Sequence, residues 1–380
     1  MKYIKNGKII LDNKIITDKV LIFSDKIEKI VKPKLSELND LEEIDAMGNF
    51  VSPGFIDIHI HGYNHNDFMD CNLDGLRQIA RDITFNGVTS FLPTTMSMPK
   101  DIIQNALDIA KIVSQDPITN QAQVLGAHLE GPYLNKLYAG AQNPDNIIIP
   151  DAEEIDFVQR NSDIIKLLTL APEIENALTF IKKIKRTTDI ALSMGHTAAS
   201  YKQAMAGIVS GISSTSHLFN AMSGLHHRDP GAVGAALKFN IFCELICDNI
   251  HINPAIMEFI VKLKSLDKII LVTDAMSAAG CSGGLYNLGG LPVIVKNQEA
   301  RLENGALAGS VLKLNDALYN LIHHSELPIE LAINFVTKNP AKLIGVDSFK
   351  GSLAIGMDAD INIFDKDINM LHTFVKGNLC

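Results

Sequence analysis

The feature that most constrains the fold of this 380-residue chain is an alternation of apolar, strand-like runs with helix-like stretches between about residues 53 and 346. The runs lie at 55–60, 88–93, 123–129, 165–170, 190–194, 212–218, 241–247 and 269–273. This pattern predicts an α/β protein with a parallel sheet, and eight strands close a (β/α)8 or TIM barrel. An open, doubly wound sheet is the alternative, and the lack of a GxGxxG pattern after the first run weighs against it.

The two ends of the chain have a different pattern from the middle. Short β-rich runs such as Lys8–Leu11 and Val20–Phe23 are separated by Asn, Asp and Lys, and the stretch from Gly351 repeats this style. We therefore predict one small β domain from residues 1–52 and 347–380, and a barrel domain from 53–346. The Gly- and Asn-rich residues 280–305 are predicted to form a hairpin inserted after the eighth strand.

Composition excludes several classes of protein. Hydrophobic residues make up 47% of the chain, which is enough for a large core, and the net charge of -9 gives no basic footprint for nucleic acid or a membrane surface. The five cysteines are odd in number and form no CxxC pair, which is typical of reduced thiols. No apolar stretch is long enough to span a bilayer. We expect a cytoplasmic protein.

Reactive side chains stand at the ends of five of the eight runs. They are His59, His61, Glu130, His196, His217 and Asp274. Because every strand of a TIM barrel opens at its carboxyl end onto one face, residues up to 215 positions apart are predicted to meet there.

The first of these positions is a His-x-His pair. Residues two apart on a strand point to the same side, so His59 and His61 can bind one cation. Imidazole together with carboxylate suits zinc, iron or another borderline divalent metal. Each residue alone also has a structural interpretation, such as a cap, a salt bridge or a core histidine. Their joint occurrence at strand ends favours a metal site.

Several motifs resemble a known enzyme family. They are PGFIDIHIHG at 53–62, HLEGP at 128–132, GHT at 195–197, HLFNAM at 217–222, DNIHINP at 248–254 and TDAM at 273–276. The first resembles the opening motif of the amidohydrolase superfamily. Together, and in this order over nearly the whole chain, they resemble its N-acetylglucosamine-6-phosphate deacetylases.

The resemblance implies a barrel with a small β-sandwich, a homodimer, and one or two divalent metals, with Zn, Fe or Mn expected. It assigns Glu130, His196 and His217 to the metal that is found throughout the family. Relatives that keep the first-strand His-x-His pair bind a second metal, so the resemblance predicts a two-metal site bridged by Glu130. Gln142 replaces the histidine of single-metal relatives, which agrees with this prediction.

The resemblance also implies an activity. It predicts hydrolysis of N-acetyl-D-glucosamine 6-phosphate to D-glucosamine 6-phosphate and acetate in amino-sugar catabolism, with Asp274 as general base and then acid. It assigns the phosphate to Arg228, the Asn220-Ala221 backbone and His251, which is expected to reach in from the neighbouring subunit. A guanidinium suits phosphate, although Arg228 could also be an ordinary surface residue. The roles of His128, His226 and His227 stay open.

Two alternatives compete with this interpretation. Another amidohydrolase, such as a cyclic-amide hydrolase or a deaminase, often carries a carboxylated lysine where this chain has Glu130. A catalytically inert relative that serves in protein interactions typically lacks metal ligands or the acid after the eighth strand. All six positions are filled here.

Overall fold

The computed structural model of the protein describes residues 1–11, 13–32 and 38–380. Residues 12 and 33–37, which belong to the predicted terminal β domain, lie outside the described residues. The strands are β1 (Lys2–Lys5), β2 (Lys8–Leu11), β3 (Lys14–Ile16), β4 (Val20–Phe23), β5 (Ile27–Val31), β6 (Glu42–Asp45), β7 (Phe50–Pro53), β8 (Phe55–Ile60), β9 (Gly62–Tyr63), β10 (Asn66–Asp67), β11 (Val88–Pro93), β12 (Gln123–Val124), β13 (Ala127–Glu130), β14 (Ile165–Leu170), β15 (Ala191–Met194), β16 (Ser214–Thr215), β17 (Phe242–Leu245), β18 (Ile269–Leu271), β19 (Gly284–Leu288), β20 (Leu291–Lys296), β21 (Glu299–Leu302), β22 (Ile361–Phe364), β23 (Met370–Val375) and β24 (Asn378–Leu379).

The helices follow the same chain order. They are α1 (Leu73–Asp82), α2 (Lys100–Gln115), α3 (Ala152–Arg160), α4 (Ala177–Thr187), α5 (Tyr201–Ser210), α6 (Gly231–Lys238), α7 (Pro254–Leu263), α8 (Leu314–Ser325), α9 (Ile329–Ala332) and α10 (Lys338–Leu343). Within the described ranges, no helix is both long and apolar enough to cross a membrane.

The middle of the chain forms the predicted barrel. Strands β13 to β18 make one parallel ladder, and β8, β11 and β12 make another. Isolated parallel bridges, Thr94 to His128 and Ile60 to Ala275, join the two ladders into a ring. The third barrel strand is divided into β12 and β13, with Gly126 at φ +153° between them. The closed barrel, rather than an open sheet, is confirmed.

Local sequence explains the helices that follow the strands. In α1, Leu76, Ile79 and Ala80 form one buried face, and the Asn72 side chain caps the first turn. In α5, Ser200 and Gln203 form a reciprocal capping box. Each of the eight helices α1 to α8 follows one barrel strand, so the loops after the strands all open on the same face.

Strands from both ends of the chain form a sandwich. Its sheets have the orders β24-β23-β22-β7-β2-β3 and β5-β4-β1-β6. Ile4 and Leu21 of the smaller sheet pack with Ile9, Ile363 and Phe374 of the larger one in a shared core. The predicted terminal β-sandwich is therefore confirmed as part of the fold.

The insertion after the eighth barrel strand differs from the prediction. It is a three-stranded antiparallel sheet, β19-β20-β21, rather than a hairpin. Asn297 and Gln298 both have positive φ, as a tight two-residue turn requires, and this turn adds β21 to the expected pair. Leu288, at the end of β19, is buried against the barrel core.

Candidate active site

The six reactive side chains predicted from the sequence lie together at the carboxyl face of the barrel. They are His59 in β8, His61 just after it, Glu130 at the end of β13, His196 after β15, His217 after β16 and Asp274 after β18. All six are buried. The side chains form two overlapping groups in which the possible ligand atoms lie within 4.8 Å of one another, His59 with His61 and Asp274, and His59 with Glu130 and His217.

Three of these residues have unusual backbone conformations. His196, His217 and Asp274 have φ values of 46°, 30° and 49°, in the left-handed region that side-chain-bearing residues rarely adopt. Hydrogen bonds hold the backbone at Asp274, whose N–H donates to the His59 carbonyl and whose carbonyl accepts from the Ser310 N–H. Such strain is concentrated at functional sites because it aims side chains that regular strands would direct elsewhere.

The four imidazoles are anchored in the same way. Each Nδ1 lies within hydrogen-bond distance of an oxygen atom. The partners are the Glu244 carboxyl group for His59 (2.9 Å), the Thr94 carbonyl for His61 (3.1 Å), the Tyr138 carbonyl for His196 (2.9 Å) and the Asn220 carbonyl for His217 (3.1 Å). A neutral ring that donates through Nδ1 carries its lone pair on Nε2. Four Nε2 atoms therefore face one space.

Glu130 lies at the centre of that space. Its Oε1 is 3.0 Å from Nε2 of His217, 3.3 Å from that of His196 and 3.4 Å from that of His59. Its Oε2 is 3.4 Å from Nε2 of His61 and accepts a 2.8 Å hydrogen bond from Gln142. One carboxylate thus contacts all four imidazoles, and Gln142 fixes its orientation.

Asp274 approaches the first-strand pair with a single oxygen. Its Oδ1 lies 3.1 Å from Nε2 of His61 and 3.5 Å from Nε2 of His59. Burial alone would raise the pKa of this carboxyl group, but positive charge on the side of His59 and His61, as a protonated ring carries, outweighs burial and lowers the pKa to about 2. The group is ionised at neutral pH and can accept a proton.

These residues fit a divalent metal. Nε2 of His59 is buried without a hydrogen-bond partner among the described residues. Nε2 of His196 and Nε2 of His217 are only 3.2 Å apart, and two lone pairs at that distance repel unless a cation or a proton lies near them. Imidazole nitrogen and carboxylate oxygen are the usual donor set for borderline divalent metals.

A cavity of about 420 Å³ opens above the cluster. Asn220, Ala221 and His251 line it, as do Leu288 of β19 and Leu307 beyond β21, so the inserted sheet contributes to its wall. None of the described residues that line it is a lysine or an arginine.

Two predicted substrate contacts, His251 and Arg228, lie in positions that differ from the sequence prediction. His251 lines the cavity of its own chain, held by a 2.6 Å contact between its Nδ1 and Asp248, so its contribution requires no neighbouring subunit. The turn at Asp248, whose side chain accepts from the His251 N–H, directs the ring inward. Arg228 is exposed and does not belong to the described cavity wall. The adjacent His226 and His227 are also exposed, with their ring centroids 4.1 Å apart and the ring planes tilted by 50°.

His128, whose role the sequence left open, has both ring nitrogens occupied. Nδ1 lies 3.1 Å from the Ile58 carbonyl and Nε2 lies 2.7 Å from the Thr169 hydroxyl. Complete burial, together with the nearby His59, holds the pKa of His128 well below its usual value. It is a neutral, hydrogen-bonded residue beneath the site, with its ring 4.5 Å from that of His59.

Sequence reasoning missed Glu244 and the hydrogen bond from Gln142 to Glu130. Glu244 lies in β17, in the buried run Phe-Cys-Glu-Leu. A carboxyl group is seldom fully buried without a partner, so an acid within an apolar strand was an available signal. The partner, His59, is 185 positions away and no local pattern identifies it.

A closed (β/α)8 barrel with this set of imidazole and carboxyl groups at its carboxyl face defines a metal-dependent hydrolase. The chain belongs to the amidohydrolase family, whose model matches residues 50–380, and members of this family bind a divalent metal.

Individual relatives are similar over most of their length. The chain is 39% identical over 340 residues to an N-acetylglucosamine-6-phosphate deacetylase of Lysinibacillus sphaericus, with 89% of this chain and 87% of the relative covered. It is 35% identical to an N-acetylgalactosamine-6-phosphate deacetylase of Escherichia coli O157:H7, with 86% of each chain covered. The crystal structure of N-acetylglucosamine-6-phosphate deacetylase from Pasteurella multocida matches with a TM-score of 0.94 at 30% identity, covering 100% of this chain and 99% of the other.

Proposed function

We propose that the protein hydrolyses N-acetyl-D-glucosamine 6-phosphate to D-glucosamine 6-phosphate and acetate, a step of amino-sugar catabolism. The observation that carries the proposal is the convergence of four Nε2 atoms and two carboxylates at the floor of a cavity of about 420 Å³. The similarity to deacetylases of both N-acetylhexosamine phosphates supports the reaction class.

The metal site proposed here consists of His59, His61, Glu130, His196 and His217. We propose that these five residues would hold two divalent ions per subunit, drawn from Zn, Fe and Mn. The charge of the site supports two ions, because the buried acidic side chains of Glu130, Glu244 and Asp274 lie in or directly beneath it and no lysine or arginine lines the described cavity wall.

When bound, a divalent metal polarises the amide carbonyl and lowers the pKa of water to roughly 7. Asp274 takes up the proton of the attacking water through Oδ1 and then delivers it to the departing nitrogen, since an unprotonated amine is a poor leaving group. The hydrogen bonds at Nδ1 keep the four imidazole rings from rotating during this proton transfer. Gln142 keeps Glu130 in one orientation throughout.

The phosphate contacts proposed here are Arg228, His251 and the backbone at Asn220 and Ala221. His251 and the two backbone positions support this assignment because they line the cavity on the side of β16 and β17. Arg228 requires either movement of the exposed residues 224–229 or approach from a second copy of the chain.

Acetate release in a metal-defined preparation tests the activity. We expect rapid release from N-acetylglucosamine 6-phosphate, slower release from unphosphorylated N-acetylglucosamine, and no ring opening of a cyclic amide. N-acetylgalactosamine 6-phosphate is included because one relative carries that name. A protein that contains metal but releases no acetate from either sugar phosphate would contradict the proposal.

Arg228→Ala tests the phosphate assignment. Loss of a charge-assisted hydrogen bond of about 1.5–3 kcal/mol predicts a rise in KM of roughly 10- to 100-fold for the phosphorylated sugar and little change for the unphosphorylated one. Arg186→Ala, at the exposed end of α4, is the matched control. An unchanged KM in Arg228→Ala would remove this residue from the site.

We further propose a homodimer located in the cytoplasm. Light scattering of the metal-loaded protein measures the assembly. If Arg228 acts from a second copy, mixing Arg228→Ala with Asp274→Asn subunits restores some activity in the mixed dimer. A monomeric protein with full activity would contradict the dimer.

A further inference from the structure

Glu244 differs from the partners of the other three ligand imidazoles. His61, His196 and His217 each interact with a main-chain carbonyl, whereas His59 interacts with a side-chain carboxyl group at 2.9 Å. A carboxylate is a stronger acceptor than a peptide carbonyl and makes the imidazole a better metal ligand. His59 is also the residue common to both potential ligand groups of the site.

One oxygen of Glu244 contacts two ligand residues. Oε2 accepts from His59 at 2.9 Å and from the backbone N–H of His217 at 3.4 Å. The backbone carbonyl of Glu244 accepts from the N–H of Leu218, which fixes the segment that follows β16. Glu244 therefore joins His59 of the first barrel strand to His217 after the sixth, and the Nε2 atoms of both rings contact the same oxygen of Glu130.

The other oxygen of Glu244 has no partner. Oε1 is buried and unpaired among the described residues, and the residue is fully inaccessible to solvent. A buried acid with an unsatisfied oxygen is costly unless positive charge lies near. The cation that the site is built to hold, reached through the His59 ring, is a source of such charge.

We propose that Glu244 is a positioning residue that fixes the His59 tautomer with Nδ1 protonated and Nε2 free, and thereby sets metal affinity at the His59/His61 position. This inference rests on the metal site of the proposed function. Glu244 touches neither the substrate nor the metal and acts only through His59.

The test uses Glu244→Gln, which keeps an acceptor without the charge, and Glu244→Leu, which keeps neither. Ser193→Ala is the control, because Ser193 is equally buried in β15 and hydrogen-bonds only Ser216 among the described side chains. Each apoprotein is titrated with Zn²⁺ by calorimetry and its metal content is measured. Thermal unfolding of each apoprotein and the ¹⁵N shifts of the histidine rings are recorded in parallel.

We expect wild type to bind two Zn²⁺. In Glu244→Gln one of the two affinities falls about 10- to 100-fold and the other changes little, and the fall is larger in Glu244→Leu. The apoprotein of Glu244→Gln melts at the same temperature as wild type or higher, because an unpaired buried charge has been removed. In Glu244→Leu the His59 ¹⁵N shifts move toward a mixture of tautomers, and Ser193→Ala changes none of these quantities.

Unchanged Zn²⁺ affinities in both variants would overturn the inference alone. If the apoprotein melting temperature also fell, the role of Glu244 would be purely structural. A wild type that binds fewer than two Zn²⁺ would overturn the inference together with the proposed metal count. Acetate release by that same preparation would show that the deacetylase function survives.

Discussion

Asp274 combines two properties at the residue scale, contact with two imidazole nitrogens and a lowered pKa. Its Oδ1 is within 3.5 Å of two imidazole nitrogens, and the neighbouring histidines lower the pKa of its carboxyl group to about 2. The sequence predicted its position, because an acid directly after an apolar run is visible as such. Its positive φ was not predictable, since the contacts that impose it come from His59 and Ser310, 215 and 36 positions away.

Asp274→Asn is expected to retain metal and to lose kcat by roughly 10²- to 10⁴-fold, because the amide can neither take up nor return the proton. Metal content and kcat are measured on one preparation. Lys202→Ala, on the exposed face of α5, is the control. Near-normal kcat in Asp274→Asn would remove this residue from the proton transfer.

A second carboxyl group, that of Asp67, predicts a pH dependence of stability. Burial raises its pKa to about 6, and Oδ2 has no partner within the described part of the chain. The pKa of Asp67 is higher in the folded protein than in the unfolded one, where it is near 4, so the protonated carboxyl group stabilises the fold. This stabilisation is fully present below about pH 4 and is lost as the pH rises through about 6. Relative to Asp67→Asn, the free energy of unfolding of wild type should therefore fall by about 2 kcal/mol between pH 4 and 6.5. Denaturant unfolding at several pH values measures it, and parallel pH profiles would contradict the assigned shift.

At the scale of elements, strand positions were more predictable than strand pairing. Apolar runs located all eight barrel strands, because strands buried on both faces are nearly continuous in hydrophobic residues. The division of the third strand at Gly126 and the addition of β21 depend on backbone conformations with positive φ, which apolar patterns do not encode. Arg228 shows a related limit, because a sequence motif places a residue on a loop but does not direct its side chain into a cavity. The domain limits 1–52 with 347–380 and 53–346 stay a prediction.

The capping box of α5 gives a prediction at this scale. The Ser200 hydroxyl accepts from the Gln203 N–H, and the Gln203 side chain accepts from the Ser200 N–H. Ser200→Ala should lower the free energy of unfolding by about 1 kcal/mol and increase amide hydrogen exchange in the first turn of α5. Lys202→Ala, exposed in the same turn, should leave exchange unchanged. Equal protection in Ser200→Ala and wild type would show that tertiary packing alone holds this helix end.

At the scale of the whole molecule, one buried lysine connects the terminal sandwich to the barrel. Lys350 lies 2.8 Å from Asp358 and 2.5 Å from Asp360, and it also hydrogen-bonds Gln123 in the third barrel strand. Burial would raise the pKa of Asp358, but Lys350 and Lys26 outweigh it and lower the pKa. The stabilisation is therefore present at neutral pH and is lost as the pH falls through the lowered value.

Lys350→Ala should destabilise the protein by about 3–5 kcal/mol, because it leaves the buried Asp360 carboxylate without its cation and leaves Asp358 with only the partly exposed Lys26. Calorimetric unfolding measures the loss, and acidification should reduce the difference from wild type as the two acids become protonated. Lys342→Ala, exposed in α10, is the control. A change below about 1 kcal/mol, typical of surface ion pairs, would mean that the cluster does not hold the two parts together.

The order of the larger sandwich sheet matters during synthesis. The strand β7 pairs with β2 on one side and with β22 on the other, yet β22 begins about 300 residues after β7 ends. The ribosome therefore completes the whole barrel before the sheet begun by the first strands can be finished. Until residue 361 emerges, β7 presents an open edge, and Ile9 and Val51 lack the apolar cover that they have in the folded protein. Nascent chains interrupted before that point should be the species most prone to aggregation and most dependent on chaperones.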